Sequence, residues 1–268
     1  MDRRGLFREM HGTPFLIPNP WDVGSARILA ALGFRALATT SAGFANALGR
    51  PDGGVTRDEA LAHCRQIAAA TPLPVSADLE NGFGDAPAFV AETIALASRT
   101  GLAGCSIEDY GAEAGLYPAG LAVERVCAAV EASRQDASPL VLTARCENFL
   151  RGKPDLADTI ARLQAYQEAG ADVLYAPALA TVEQVRSVVA EIDRPLNVLV
   201  LPGGPTVPEL FAAGAKRVST GGALASAAQH ALVEAARELL GAGTQEFWKR
   251  ALASAGTVRE ALREPARP

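Results

Sequence analysis

Leu156-Ala-Asp-Thr-Ile-Ala-Arg-Leu-Gln-Ala-Tyr-Gln-Glu-Ala-Gly170-Ala-Asp-Val-Leu-Tyr-Ala176 runs from an amphipathic stretch of helical length, through one glycine, into a short apolar run. A glycine directly after a helix is the usual C′ residue, and a strand beginning almost at once makes the connection tight. The same grammar recurs along the chain. Gly33 separates Val23–Leu32 from Arg35–Thr39, Gly101 separates Ala86–Thr100 from Gly104–Glu108, and Gly214 separates Val207–Ala213 from Arg217–Thr220. With Asp172–Ala176 and the further apolar runs Phe15–Pro18, Pro74–Asp78, Leu140–Arg145 and Leu196–Leu201, the candidate strands number eight. Helix-period sequence such as Asp58–Ala70, Leu121–Arg134, Val182–Glu191 and Ala223–Leu240 fills the intervals. This alternation predicts a (β/α)8 TIM barrel, with a doubly wound parallel sheet as the alternative. The αβ connections are short, whereas the βα connections Thr40–Arg57 and Asp109–Gly120 are long. Function is therefore expected at the C-terminal ends of the strands.

The chain has 268 residues, 49% hydrophobic and 21% charged, enough for one large core and too few for two full domains. Residues 1–241 read as the barrel domain and 242–268 as a C-terminal helical extension and tail. Thr244-Gln-Glu-Phe-Trp248 opens that extension, with Phe247, Trp248, Leu252, Val258 and Leu262 as apolar contacts and Pro265–Pro268 as a frayed tail. No barrel surface remains for it, so the additional helix is expected to pack against another subunit. The net charge of −5 and scattered arginines offer no basic surface for nucleic acid. No run reaches the roughly 18 apolar residues of a membrane span, and the charged start Met1-Asp-Arg-Arg4 does not read as a secretory signal. A cytoplasmic location is expected, without a membrane partner. Cys64, Cys105, Cys127 and Cys146 lack C-x-x-C spacing and read as reduced packing residues. His11, His63 and His230 lie away from the strand tips and do not read as catalytic.

Carboxylates gather where function is expected. Val75-Ser-Ala-Asp-Leu-Glu-Asn-Gly-Phe-Gly84 carries Asp78 and Glu80 at the tip of the third strand, two residues apart and so on one face if the chain stays extended. Glu108 ends the neighbouring fourth strand, and Asp52 sits in the long second loop, where Pro51-Asp-Gly53 also reads as a turn. Converging carboxylates repel unless a proton or cation intervenes, and oxygen ligands without histidine favour Mg2+ or Mn2+. A strand-end salt bridge is the simpler alternative for Asp78 and Glu80. Ser41-Ala-Gly43 can present backbone N–H groups to an anion. Arg145, closing the apolar fifth strand, is suited to a substrate carboxylate, or to an internal pair with Glu108 or Glu147.

Taken in order, Ser41–Gly43, Pro51-Asp52, Asp78-Leu-Glu-Asn-Gly-Phe-Gly84, Ile107-Glu-Asp109 and Ala144-Arg145 resemble the phosphoenolpyruvate mutase/isocitrate lyase superfamily. The resemblance runs from Pro18 to Gly222. It implies Mg2+ held directly by Asp78 and largely through water by Asp52, Glu80 and Glu108. It further implies chemistry through an enolate of a 2-oxo acid, and a C-terminal helix exchanged between paired subunits of a homodimer or homotetramer. One motif departs. The isocitrate and methylisocitrate lyases carry K-K-C-G-H after the fourth strand, where this chain has Asp109-Tyr-Gly-Ala-Glu-Ala-Gly-Leu-Tyr-Pro-Ala-Gly120. That loop has no thiol, lysine or histidine, and its polar side chains are Asp109, Tyr110, Glu113 and Tyr117. The lysine–asparagine pattern of the phosphonate-forming mutase and its hydrolase relatives is missing too.

The resulting expectation is a Mg2+- or Mn2+-dependent lyase that makes or breaks a C–C bond of a small 2-oxo or 2-hydroxy acid through a metal-stabilised enolate, by retro-aldol cleavage or decarboxylation. Arg145, Glu108 and Tyr110 are its candidate catalytic residues. Ser41, Ala42, Gly43 and Arg145 are candidates for binding substrate. A phosphonate mutase or C–P hydrolase, and a non-catalytic metal-dependent binder of 2-oxo dicarboxylates, are the rival readings.

Overall fold

The computed structural model describes residues 2–263; Pro265–Pro268, read above as a frayed tail, lie outside them. Eight parallel strands form one sheet: β1 (Phe15–Ile17), β2 (Leu37–Ala38), β3 (Val75–Asp78), β4 (Gly104–Glu108), β7 (Val141–Arg145), β8 (Val173–Tyr175), β9 (Leu196–Leu199) and β10 (Arg217–Ser219). A small antiparallel hairpin, β5 (Tyr110–Gly111) with β6 (Gly115–Leu116), folds out of the loop after β4. Pairing runs β1-β10-β9-β8-β7-β4-β3-β2. The ring meets itself where Ala38 N–H donates to Pro18 C=O at 3.1 Å. Asn19 ties the same seam: its amide donates to Thr39 C=O, and its carbonyl accepts from the N–H groups of Thr220 and Gly221. The barrel fold expected from the alternating pattern is therefore present.

Local sequence explains the outer helices. These are α2 (Val23–Ala31), α4 (Arg57–Ala70), α5 (Pro87–Ala97), α6 (Ala119–Arg134), α7 (Leu156–Glu168), α8 (Val182–Ala190) and α9 (Val207–Ala212). Asp22 with Ser25, Thr56 with Glu59, Thr181 with Gln184 and Thr206 with Glu209 form capping boxes that satisfy N-terminal amides. At the other ends Gly170 and Gly214 adopt φ of 98° and 107°, a left-handed conformation that lets the chain turn straight into a strand. The main core lies between strands and helices, with Ile67, Ile94, Leu142, Leu163, Leu174 and Val198 among its buried members.

Three departures from the sequence reading have physical causes. The charged N-terminal lead forms α1 (Arg3–Met10), whose Phe7 and Met10 join Phe15, Ile17, Val141 and Val173 to plug the N-terminal mouth of the barrel. The segment beginning at Ser41 is not an open loop: Thr40 caps the short α3 (Ser41–Ala47) by accepting from Gly43 N–H. The final helices α10 (Ala223–Gly241) and α11 (Trp248–Ala261) do not behave as an ordinary eighth barrel helix. Ala225 is the one buried residue of α10, while Leu232, Val233, Leu239 and Leu240 are exposed. Barrel surface does remain for α11, which lies against α2 of its own chain, yet none of its residues is buried. Among the described residues no helix is long and apolar enough to cross a membrane.

The plug makes one glycine indispensable. A Cβ at Gly104 would stand 2.7 Å from Val141 O and 2.8 Å from Phe7 Cε1, so backbone and plug would both have to move. Gly104→Ala is expected to cost about 1–3 kcal/mol in urea unfolding. An unchanged midpoint would show that the plug is loosely packed.

Candidate active site

β3 delivers Asp78 to the rim, and the chain turns sharply just beyond it. Glu80 adopts φ of 50° and Phe83 φ of 63°, left-handed conformations that are uncommon without glycine. The extended chain assumed for the Asp78–Glu80 pair therefore does not persist. The turn itself brings the two residues together: Glu80 N–H donates to Asp78 Oδ1 at 3.3 Å, and Ser41 N–H donates to Asp78 Oδ2 at 3.2 Å. One of the three amides proposed to receive an anion is thus engaged by Asp78. Gly43 N–H is engaged by Thr40, and a Cβ there would lie 2.6 Å from Thr40 Cγ2 and 3.0 Å from Trp21 Cβ, so Gly43 serves close packing. Ser41 and Ala42 do line the cavity above β3; Gly43 does not.

β4 and β7 are register partners, which sets Glu108 beside Arg145. Arg145 Nη1 lies 3.2 Å from Glu108 Oε2 and 3.8 Å from Asp78 Oδ1, and its Nε donates to Glu147 Oε1. The internal pairing left open in the sequence is realised with both Glu108 and Glu147. Arg151, which the sequence reading did not single out, adds contacts to Glu147 at 3.0 Å and Glu108 at 3.4 Å. Burial opposes the charge on Arg145, but Glu108 and Glu147 outweigh it and hold the guanidinium firmly protonated. Burial, joined by the charges of Asp78 and Asp52, raises Glu80 to about 7. Glu108 is also raised, chiefly by burial against the opposing pull of Arg145.

Asp52 occupies the turn its sequence suggests: Gly54 N–H donates to Pro51 C=O, and Gly53 has φ of 77°. Its side chain still borders the rim cavities. Of the four polar side chains in the loop after β4, two are consumed internally. Asp109 is buried, accepting from Tyr166 Oη, Arg162 Nη1 and Glu147 N–H. Tyr117 donates to Asp85 and accepts from Asn81. Tyr110 and Glu113 remain, facing a broad rim cavity shared with Glu80, Glu108 and Arg145; the Tyr110 ring is covered by Arg151 with Cζ 3.7 Å from its centre. The acidic turn is itself clamped by buried Arg125, which donates to the carbonyls of Asn81, Gly84 and Asp85.

These distances test the donor set for a metal. Among the described residues no three His, Cys, Asp or Glu side chains stand close enough to hold one ion together. The arrangement fits a hard cation with one direct carboxylate ligand and the remaining acids acting through water, because Mg2+ retains part of its hydration shell. It does not fit a closed all-protein cage. The cysteines are free, and burial raises Cys64 and Cys105 to about 12 and also raises Cys146, the thiol beside Arg145, so these three stay protonated thiols.

A parallel barrel with acids and a half-buried arginine at its C-terminal rim defines an enzyme of the (β/α)8 class. Residues 7–240 match the family model of phosphoenolpyruvate phosphomutase, and the chain belongs to that family. Among solved structures it is similar to a Burkholderia cenocepacia J2315 protein provisionally described as a lyase/mutase, with 48% identity, TM-score 0.94, and coverage of 99% of this chain and 98% of that one. A provisionally assigned 2-methylisocitrate lyase 2 of Corynebacterium glutamicum is 32% identical over 73% of this chain and 66% of its own. An oxaloacetate decarboxylase of Pseudomonas putida GB-1 is 33% identical over 77% of this chain and 73% of its own.

The raised glutamates fix a pH dependence. A carboxyl near 7 when folded and 4.5 as the unperturbed reference stays protonated in the fold after the unfolded chain has released its proton. The stability this confers is complete below the unfolded value and is lost as pH rises through the folded one. The protein should therefore lose thermal stability between pH 5 and pH 8, and less so in Glu80→Gln. An equal loss in the wild type and in Glu80→Gln, measured as Tm across that range, would contradict it.

Proposed function

We propose that this protein is a Mg2+-dependent lyase acting on a C–C bond of a small 2-oxo or 2-hydroxy acid. The observation that carries this reading is the placement of Asp78, Glu80 and Glu108 around half-buried Arg145, on two neighbouring rim cavities that Asp52 and Arg145 both line. Asp78, already held by two backbone N–H groups, is the ligand best fixed in place, and Asp52, Glu80 and Glu108 would act through water. Bound Mg2+ supplies positive charge beside the oxygen on which negative charge develops as the C–C bond breaks. Arg145 orients the substrate carboxylate and stabilises the same charge, with Ser41 and Ala42 lining its approach. Glu108, buried beside Arg145, and Tyr110, the loop phenol left free, are positioned to exchange protons with the substrate. The names of the decarboxylase and lyase relatives support a small organic acid as substrate.

The exposed apolar residues of α10 and α11 support a homo-oligomer in which these helices meet a second copy. Light scattering at micromolar concentration should show a dimer or tetramer, and a monodisperse monomer would refute it.

Calorimetry with oxalate tests the site. Oxalate should bind only with Mg2+ present. Asp78→Ala should weaken metal and oxalate together by about 10–100-fold or more, whereas Arg145→Gln should weaken oxalate and spare the metal, since it removes a competing cation. Equal oxalate affinity with and without metal in the wild type would end this reading. Isocitrate and methylisocitrate should not be cleaved at ordinary rates of about 1–1000 per second, because the loop 109–120 has no thiol to exchange the required proton; turnover in that range would place the general acid elsewhere.

A further inference from the structure

The rim cavity does not stop at the carboxylates. A second space of about 190 Å³, sharing Asp52 and Arg145 with it, reaches into the barrel and is bordered by Asp78, Tyr175, Asn197, Ser219 and Arg217. Arg217 opens β10 near the barrel floor and is only 5% exposed. Its Nε donates to Asn197 Oδ1 at 2.9 Å, its Nη2 donates to Thr143 Oγ1 at 2.9 Å, and its Nη1 faces His11 Nε2 at 3.3 Å. His11 Nδ1 lies 2.8 Å from Phe7 O, so it carries the ring proton and leaves Nε2 as the acceptor. Burial, reinforced by the Arg217 charge, drives that histidine down to about 3 and keeps it neutral. All three neighbours of this buried guanidinium are therefore uncharged.

An arginine buried without a counter-charge is costly. Arg145 has three carboxylates within 4 Å, while Arg217 has none among the described residues. Burial lowers Arg217 to about 10, still charged at neutral pH, with Tyr175 a partial offset. A guanidinium has five N–H donors, and the three contacts above leave one on each terminal nitrogen. Each is a charge-assisted donor that a carboxylate oxygen can accept. Thr143 precedes Arg145 by two residues on the same strand and face, so Arg217 is bound about 7 Å below the Arg145 layer at the usual strand rise. With C–C bonds of about 1.5 Å, a four- or five-carbon acid spans about 4–5 Å, and a charge-assisted hydrogen bond of about 2.8 Å closes the remainder.

We propose that Arg217 forms an inner anionic subsite and selects substrates carrying a second carboxylate, making the ligand class a four- or five-carbon 2-oxo or 2-hydroxy dicarboxylate. The inference rests on the rim being a metal-dependent 2-oxo acid site. The first carboxylate and its 2-oxo neighbour lie at Asp78 and Arg145, and the distal carboxylate descends past Tyr175 and Asn197 onto Arg217.

The test compares pairs of equal carbon number by calorimetry with Mg2+ present: 2-oxoglutarate against 2-oxopentanoate, and oxaloacetate against 2-oxobutanoate. In the wild type the better-fitting dicarboxylate should bind at least about tenfold more tightly than its monocarboxylate partner. Arg217→Gln should reduce that ratio to below about threefold while leaving oxalate, too short to reach the floor, within about twofold of wild type. No preference in the wild-type protein would overturn the proposal whatever the variants do. So would equal weakening of oxalate and dicarboxylate in Arg217→Gln, the outcome of a purely structural role. Arg217→Lys, which keeps the cation, covers the case in which the glutamine variant does not fold, and it should retain part of the preference. Failure of the wild type to bind oxalate with Mg2+ would instead remove the underlying reading of the rim.

Discussion

The ion cluster around Arg145 is the constraint on which the rim depends. One guanidinium stands among Glu108, Glu147 and Asp78, with Arg151 sharing two of those acids. Removing either sign from such a buried set leaves the other uncompensated, a penalty of several kcal/mol. The loops must therefore close over the strands in the one arrangement that keeps the charges paired. Asp109 extends the constraint outward. By accepting from Tyr166, Arg162 and the Glu147 amide, it fastens the loop after β4 to α7 and to the loop after β7.

Two of the three non-glycine residues with left-handed backbone among the described residues stand beside this cluster. Glu80 and Phe83 hold left-handed conformations that cost about 1–3 kcal/mol each, and buried Arg125 locks this turn by gripping the carbonyls of Asn81, Gly84 and Asp85. The third is Ala178 in the loop after β8, with φ of 67°, while the capping boxes and helix-ending glycines elsewhere need no such support. A rigid scaffold thus carries one strained, highly charged turn, which is how a site is kept geometrically defined while the surrounding loops stay long.

The barrel interior changes character along its axis. At the N-terminal mouth Phe7, Met10, Phe15 and Val173 form a dry plug. Above it Thr143, Asn197, Ser219 and Arg217 make a polar layer, linked by Asn197 donating to Ser219. At the rim come the acids and Arg145. Charge therefore rises toward the open end, and small polar side chains leave space between the layers.

The sequence by itself determined the barrel, because strand and helix periodicity and glycine punctuation are local properties read within ten or twenty residues. It also marked Asp78, Glu108 and Arg145, since a charged residue ending an apolar strand points to the rim wherever that strand lies. The tertiary structure decided the rest. Arg151 and Arg125 sit in a loop and a helix with no local peculiarity, and their partners come from other segments. Arg217 looked like an ordinary strand start because its neighbours, Thr143 and His11, are 74 and 206 residues away in the chain. Ser41–Gly43 read as an open loop because the small residues that allow an anion to approach also allow a helix to pack tightly. Only the position of Trp21 and Ala225 against Gly43 shows which applies. Which charges pair, and which stay unpaired inside the barrel, is a matter of distances between remote segments, and those exist only once the chain has closed.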